Sequence, residues 1–165
     1  MGILKCLTGK GSVLGLVLLL LSGCATQLAP LYDKALMDGL TAVNSSAMEL
    51  LASAEGGTDK AGFGTREPGY NQLIGRFDAL SLQSAARPVP SNDVLADVRK
   101  IAGDKTGQAP AIPSATALNK LARTFAMMRD TDKAQGLTPL EVKAFRGQVV
   151  IYLDQALTYE AALKR

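Results

Sequence analysis

Three carboxylates, Asp130, Asp132 and Glu141, fall at the first, third and twelfth positions of the stretch Asp-Thr-Asp-Lys-Ala-Gln-Gly-Leu-Thr-Pro-Leu-Glu. With Leu137 at the eighth position, this is the spacing of a calcium loop between two helices: oxygen ligands at the loop ends close around the cation and an apolar residue ties the middle. Two positions break the pattern. Ala134, at the fifth, has no ligating atom, and Gln135 stands at the sixth, where the turn needs glycine; Gly136 comes one residue late. Thr138-Pro139-Leu140-Glu141 also reads as a helix capping box, which uses Glu141 for a backbone hydrogen bond. The sequence therefore predicts a polar interhelical loop carrying Asp130 and Asp132, a cap made by Glu141, and no metal or other cofactor. A calcium loop is the competing reading.

Other chemistry is scarce. The chain has no histidine, which removes Ser–His and Cys–His catalysis and most zinc sites. No Ser-x-x-Lys occurs in it. The glycines of Gly62-Phe-Gly-Thr-Arg-Glu-Pro-Gly69 lack the preceding strand and the following lysine that a phosphate-binding loop needs. Asp93 and Asp97 share a helix face beside Arg99 and Lys100 and read as a solvated surface, and Tyr32, Tyr70, Tyr152 and Tyr159 read as amphipathic edges of a core.

The remaining chemically distinctive residue is Cys24. It follows Lys5 and Lys10, an apolar run of nine residues from Val13 to Leu21, and the small residues Ser22 and Gly23. These are the three parts of a secretory signal, and the apolar run is half the roughly 20 residues that a membrane-crossing helix needs. Leu21-Ser22-Gly23-Cys24 resembles the lipobox of bacterial lipoproteins. The resemblance covers only the first 25 or so residues and implies a diacylglycerol on the Cys24 sulfur, cleavage before Cys24 and acylation of the new amino terminus. More than one acyl chain makes anchoring stable. Ala25, where an aspartate would signal retention at the inner membrane, implies the periplasmic face of the outer membrane in a Gram-negative cell and the outer face of the plasma membrane otherwise. Cys6 leaves with residues 1–23, so no disulfide or free thiol is expected in the remainder.

Two of the 18 basic residues and none of the 15 acidic ones lie in residues 1–23, so the remainder carries 16 against 15, a net charge of +1. No basic patch interleaved with aromatics marks a nucleic-acid surface. Residues 24–30 form the lipidated cysteine and a short tether, whose six residues after Cys24 reach at most about 20 Å, and 31–165 form the folded domain.

Within that domain, apolar residues recur at helical spacing. The first helix is expected over about 31–54, with Leu36, Leu40, Val43, Ala47, Leu50 and Ala54 inward. The second is expected from Pro68, a residue suited to a first turn, with Tyr70, Leu73, Ile74, Phe77 and Leu80. A short helix follows from Ser91, with Val94, Leu95, Val98 and Ile101. The next starts near Ser114, with Leu118, Leu121, Ala122, Phe125 and Met128. The last runs from Thr138 through Val142, Phe145, Val149, Tyr152, Ala156, Tyr159 and Leu163, widened by Val150, Leu153 and Leu157. Alternating steps of three and four suit helices crossing at the shallow angle of bundles. The expectation is an all-α bundle of four main helices plus one short one.

Together these readings predict a lipid-anchored protein of the cell envelope that binds an envelope protein rather than catalysing a reaction. Pilotins of secretion systems are similar in size, anchor and helical content, without a shared motif. An envelope hydrolase using Asp or Glu, and a carrier holding an apolar ligand between helices, are the alternatives. The loops at 55–69 and 103–113 are the expected contact sites.

Overall fold

The computed structural model describes residues 29–89 and 111–164, which form four helices and no strand. These are α1 (Lys34–Ser53), α2 (Phe63–Ala85), α3 (Pro113–Gln135) and α4 (Pro139–Leu163). The chain runs up and down, each helix packing on its sequence neighbours and α1 closing against α4. The protein is an all-α helical bundle. The expected signal, Cys24, residues 25–28 of the tether and the short helix from Ser91, with Asp93 and Asp97, lie outside the described residues; Pro30, at the expected end of the tether, is buried against the bundle.

Each start has a local cause. Asp33 caps α1 by accepting from the Leu36 N–H at 3.1 Å, and that backbone hydrogen bond holds the Asp33 carboxyl below its usual pKa. Pro113 and Pro139 occupy first turns, where their missing N–H leaves nothing unpaired. At α4 the expected capping box is complete. Thr138 Oγ1 accepts from the Glu141 N–H at 3.3 Å, and the Glu141 carboxylate accepts from the Thr138 N–H at 2.8 Å.

Helix α2 departs from expectation. It starts at Phe63, five residues before Pro68, which sits inside it. The bond that Pro68 cannot make would go to the carbonyl four residues earlier, and that residue is Gly64, which has open space around it. Phe63 stacks on Tyr70 with ring centroids 6.5 Å apart, and Arg66 is clasped by a buried carboxylate. These contacts hold the first turn helical, so most of the glycine-rich stretch is helix.

The core follows the expected stripes, with Phe77 and Phe125 stacked at 5.7 Å near its middle. The exceptions run in both directions. Leu51 rather than Leu50 is fully buried on α1, and Tyr70, expected at an edge, is buried completely. Phe145, Tyr152 and Leu157 are half-buried, and Val150 is 45% exposed. Helix α4 carries apolar residues on more than one side, and the bundle fully covers only the side of Val142, Val149, Leu153 and Ala156.

Candidate functional site

The apolar stripes end on charged residues. On α3 the run Leu118, Leu121, Phe125 and Met128 continues at the next inward position with Asp132; on α4, Val149, Leu153 and Ala156 continue with Glu160. Both carboxylates are 0% exposed. A buried charge needs a partner and further hydrogen bonds, and each has them.

Asp132 lies at the end of the bundle that holds both short connections. Arg66 grips it with two bonds of 2.8 Å, Thr58 Oγ1 donates at 2.5 Å and the Tyr70 hydroxyl at 3.2 Å. The Thr58 oxygen also accepts from the Leu137 N–H at 2.8 Å, and the Thr58 N–H donates to the Leu137 carbonyl at 2.8 Å. One carboxylate thus fixes the α1–α2 connection, the first turn of α2 and the α3–α4 connection together. Burial pushes the Asp132 carboxyl up, but the Arg66 and Thr58 hydrogen bonds outweigh it and hold the carboxyl below its usual value. Burial and the Asp132 charge raise the Tyr70 phenol, which stays a protonated donor. Two glycines permit the close approach. Gly57 has φ +90°, and a Cβ there would lie 2.8 Å from the Leu137 carbonyl; Gly136 has φ +81°, and its Cβ would meet the Thr58 carbonyl at 2.5 Å.

Glu160 lies at the opposite end, where the chain enters α1. Arg87 grips it at 2.9 and 2.5 Å, and Ser114 Oγ donates at 2.5 Å. Ser84 and Ser114 share a hydrogen bond of 2.8 Å, and Arg87 reaches both hydroxyls and the Leu31 carbonyl. This second lock ties the approach to α1, the end of α2, the start of α3 and the end of α4.

The residues read as a calcium loop do not converge. Asp130 to Gln135 are the last turns of α3, and only Gly136, Leu137 and Thr138 connect to α4. Asp130 is exposed and paired with Arg129 at 2.9 Å, Asp132 points into the core, and Glu141 serves the cap. The late Gly136 is the α3 cap. Among the described residues no three acidic, His or Cys side chains cluster to hold a metal. Asp132 is not part of a polar loop, as its spacing had suggested, but the anchor of a buried ion pair.

Neither lock is built for acid–base work, since both carboxylates are occupied by donors. They are also far apart: Ser114, which bonds Glu160, and Asp132 are 18 residues apart on one helix, which is about 27 Å at 1.5 Å per residue.

Open surface is found elsewhere. A shallow groove of about 640 Å³ runs between the end of α3 and α4, lined by apolar Met127, Ala134 and Phe145 and by polar Asp130, Thr131, Gln135 and Gln148. Smaller open grooves, about 410 and 320 Å³, lie on the α2–α3 and α1–α2 surfaces. The expected contact stretch at 55–69 supplies Thr58 and Arg66 to the Asp132 lock, and 103–110 lies outside the described residues.

The sequence had offered Ser114 only as a helix start and Thr58 and Arg66 only within the contact stretch 55–69, and had not singled out Arg87 or Glu160. For the two acids a signal existed: a charge at the next inward position of an apolar stripe. No family model, characterised protein or solved structure matches the chain.

Proposed function

We propose that the protein is a lipid-anchored, non-catalytic adaptor of the bacterial cell envelope, held by acyl chains on Cys24 and binding an envelope protein through the outer surface of α3 and α4. The anchor reading rests on Leu21-Ser-Gly-Cys24. The observation that carries the binding reading is where the apolar surface lies. Met127, Leu140, Val150 and Ile151 are 53%, 76%, 45% and 56% exposed, all on α3 and α4, and Met127 lines the groove with Phe145. Contiguous exposed apolar surface marks contact with another molecule, whereas single exposed apolar residues are ordinary, so the groove where Met127 meets Phe145 carries most of this reading. The buried carboxylates are engaged in locks, which favours binding over an Asp/Glu hydrolase, and the open form of the groove favours a protein surface over a carried apolar ligand.

A photoreactive residue placed at Met127 or Ile151 in intact cells tests the reading. The expected result is a discrete crosslink to one envelope protein, absent when the same group replaces Ser45 on the far face of α1. Absence of crosslinks at both positions, with turnover of a peptidoglycan or lipid substrate by the pure protein, would replace the adaptor with the hydrolase.

A further inference from the structure

The two ends of the bundle differ outside as well as inside. At the end with the short connections, Glu55, Asp59, Lys60, Asp130, Lys133 and Lys143 are all exposed. At the other end the strongest charges are withdrawn: Glu160 is fully buried, and the Arg87 side chain that clasps it is 9% exposed. Lys34 there is paired with Asp38 at 2.6 Å, and Asp33 is taken up by the α1 cap and by Gln83. Beside the exposed Lys34–Asp38 pair, Gln83 and Lys164, this end shows apolar side chains to solvent. Leu31 is 74% and Leu82 73% exposed, and Ala86 and Pro88 are exposed beside them. The Leu31 carbonyl accepts from Arg87 at 3.5 Å and Asp33 accepts from Gln83 at 3.1 Å, so the approach to α1 and the last turns of α2, which carry the two leucines, lie at the same end.

The same end receives the chain from Cys24. Residues 25–30 span at most about 20 Å, so acyl chains on Cys24 hold this end, and not the charged one, at the bilayer. We propose that its rim is a lipid-facing seat: Leu31 and Leu82 enter the boundary between headgroups and acyl chains, and the bundle stands on the membrane with its charged end and the α3–α4 groove turned away. The inference rests on the acylation of Cys24. Apolar side chains held beside a bilayer by an anchor need little further affinity to insert, because the anchor has already met the cost of bringing protein and membrane together. Burying the Glu160–Arg87 pair takes two charges out of that surface, and the exposed Lys34 and Lys164 can meet the phosphates of anionic headgroups.

The test uses the processed protein isolated from membranes and placed in vesicles of phosphatidylethanolamine and phosphatidylglycerol. A thiol introduced by Leu82→Cys or Leu31→Cys carries an environment-sensitive dye, and Ala52→Cys, exposed in the last turn of α1, gives the comparison at the other end. Lipids brominated on their acyl chains should quench the dyes at positions 82 and 31 severalfold more than the dye at 52. Equal quenching at the two ends, in protein whose N-terminal peptide carries acyl chains by mass spectrometry, would overturn the seat alone and leave the rim to another segment or protein. An N-terminal peptide without acyl chains would overturn the anchor, and the seat with it. Circular dichroism of each labelled variant confirms that the helices are intact.

Discussion

Asp132 and Glu160 are both fully buried carboxylates gripped by an arginine, yet they secure different kinds of chain. Asp132 joins two tight connections and draws on three partners, Arg66, Thr58 and Tyr70. Glu160 gathers the approach to α1 and three helix ends with Arg87 and a single serine donor, Ser114. The first lock has redundant donors, and the second depends on its arginine. Buried ion pairs add little net stability against a well-packed apolar alternative, but removing one partner is costly. Their value here is positional: the Asp132 lock registers two loops against each other, and the Glu160 lock draws charge inward at the end the chain enters.

The largest expected effect separates the two by redundancy. Arg87→Ala should cost about 3–5 kcal/mol, the usual loss when a buried charge is left without its partner. Arg66→Ala should cost less, by about 1 kcal/mol, because Thr58 and Tyr70 still donate to Asp132. Urea denaturation of the two variants measures this directly; an equal or reversed order would break the comparison. Thr58→Val comes next, at about 1–3 kcal/mol, since it removes a donor from Asp132 and strands the buried Leu137 N–H.

Acid sharpens the contrast further. The folded-state pKa of Asp132 lies below its ordinary value, so the unfolded chain takes up the proton first. The stability this group contributes is therefore complete above the unfolded value near 4 and is lost as the pH falls through the folded value. Asp132→Asn should lower the neutral-pH stability and flatten this acid limb in thermal melts from pH 7 to pH 2; an unchanged limb would remove Asp132 as its source. The smallest effect is at the rim, where Leu82→Ser should stay within about 0.5 kcal/mol, because Leu82 is largely exposed.

How much of this was legible in the sequence depends on the range of the interaction. The α4 cap could be read because its partners, Thr138 and Glu141, are three residues apart. The core stripes could be read because helical periodicity is local. The start of α2 could not, because Phe63 and Arg66 are held helical by Tyr70 and Asp132, the latter 66 residues away in sequence. Local glycine and proline signals pointed to a loop, and tertiary contacts overrode them. The calcium-like spacing at 130–141 misled in the same way. Its carboxylates are close in sequence, but on a helix Asp130 and Asp132 point about 200° apart, so one meets solvent and the other the core.

The proposed function turns on the acylation of Cys24, and labelling in cells with a fatty-acid analogue tests that most directly. The wild-type protein should incorporate the label and migrate as the processed form, whereas Cys24→Ala should carry no label and accumulate as the uncleaved precursor. A Cys24→Ala protein still cut between Gly23 and residue 24, or a wild-type protein without label, would contradict the anchor on which the proposed membrane seat rests.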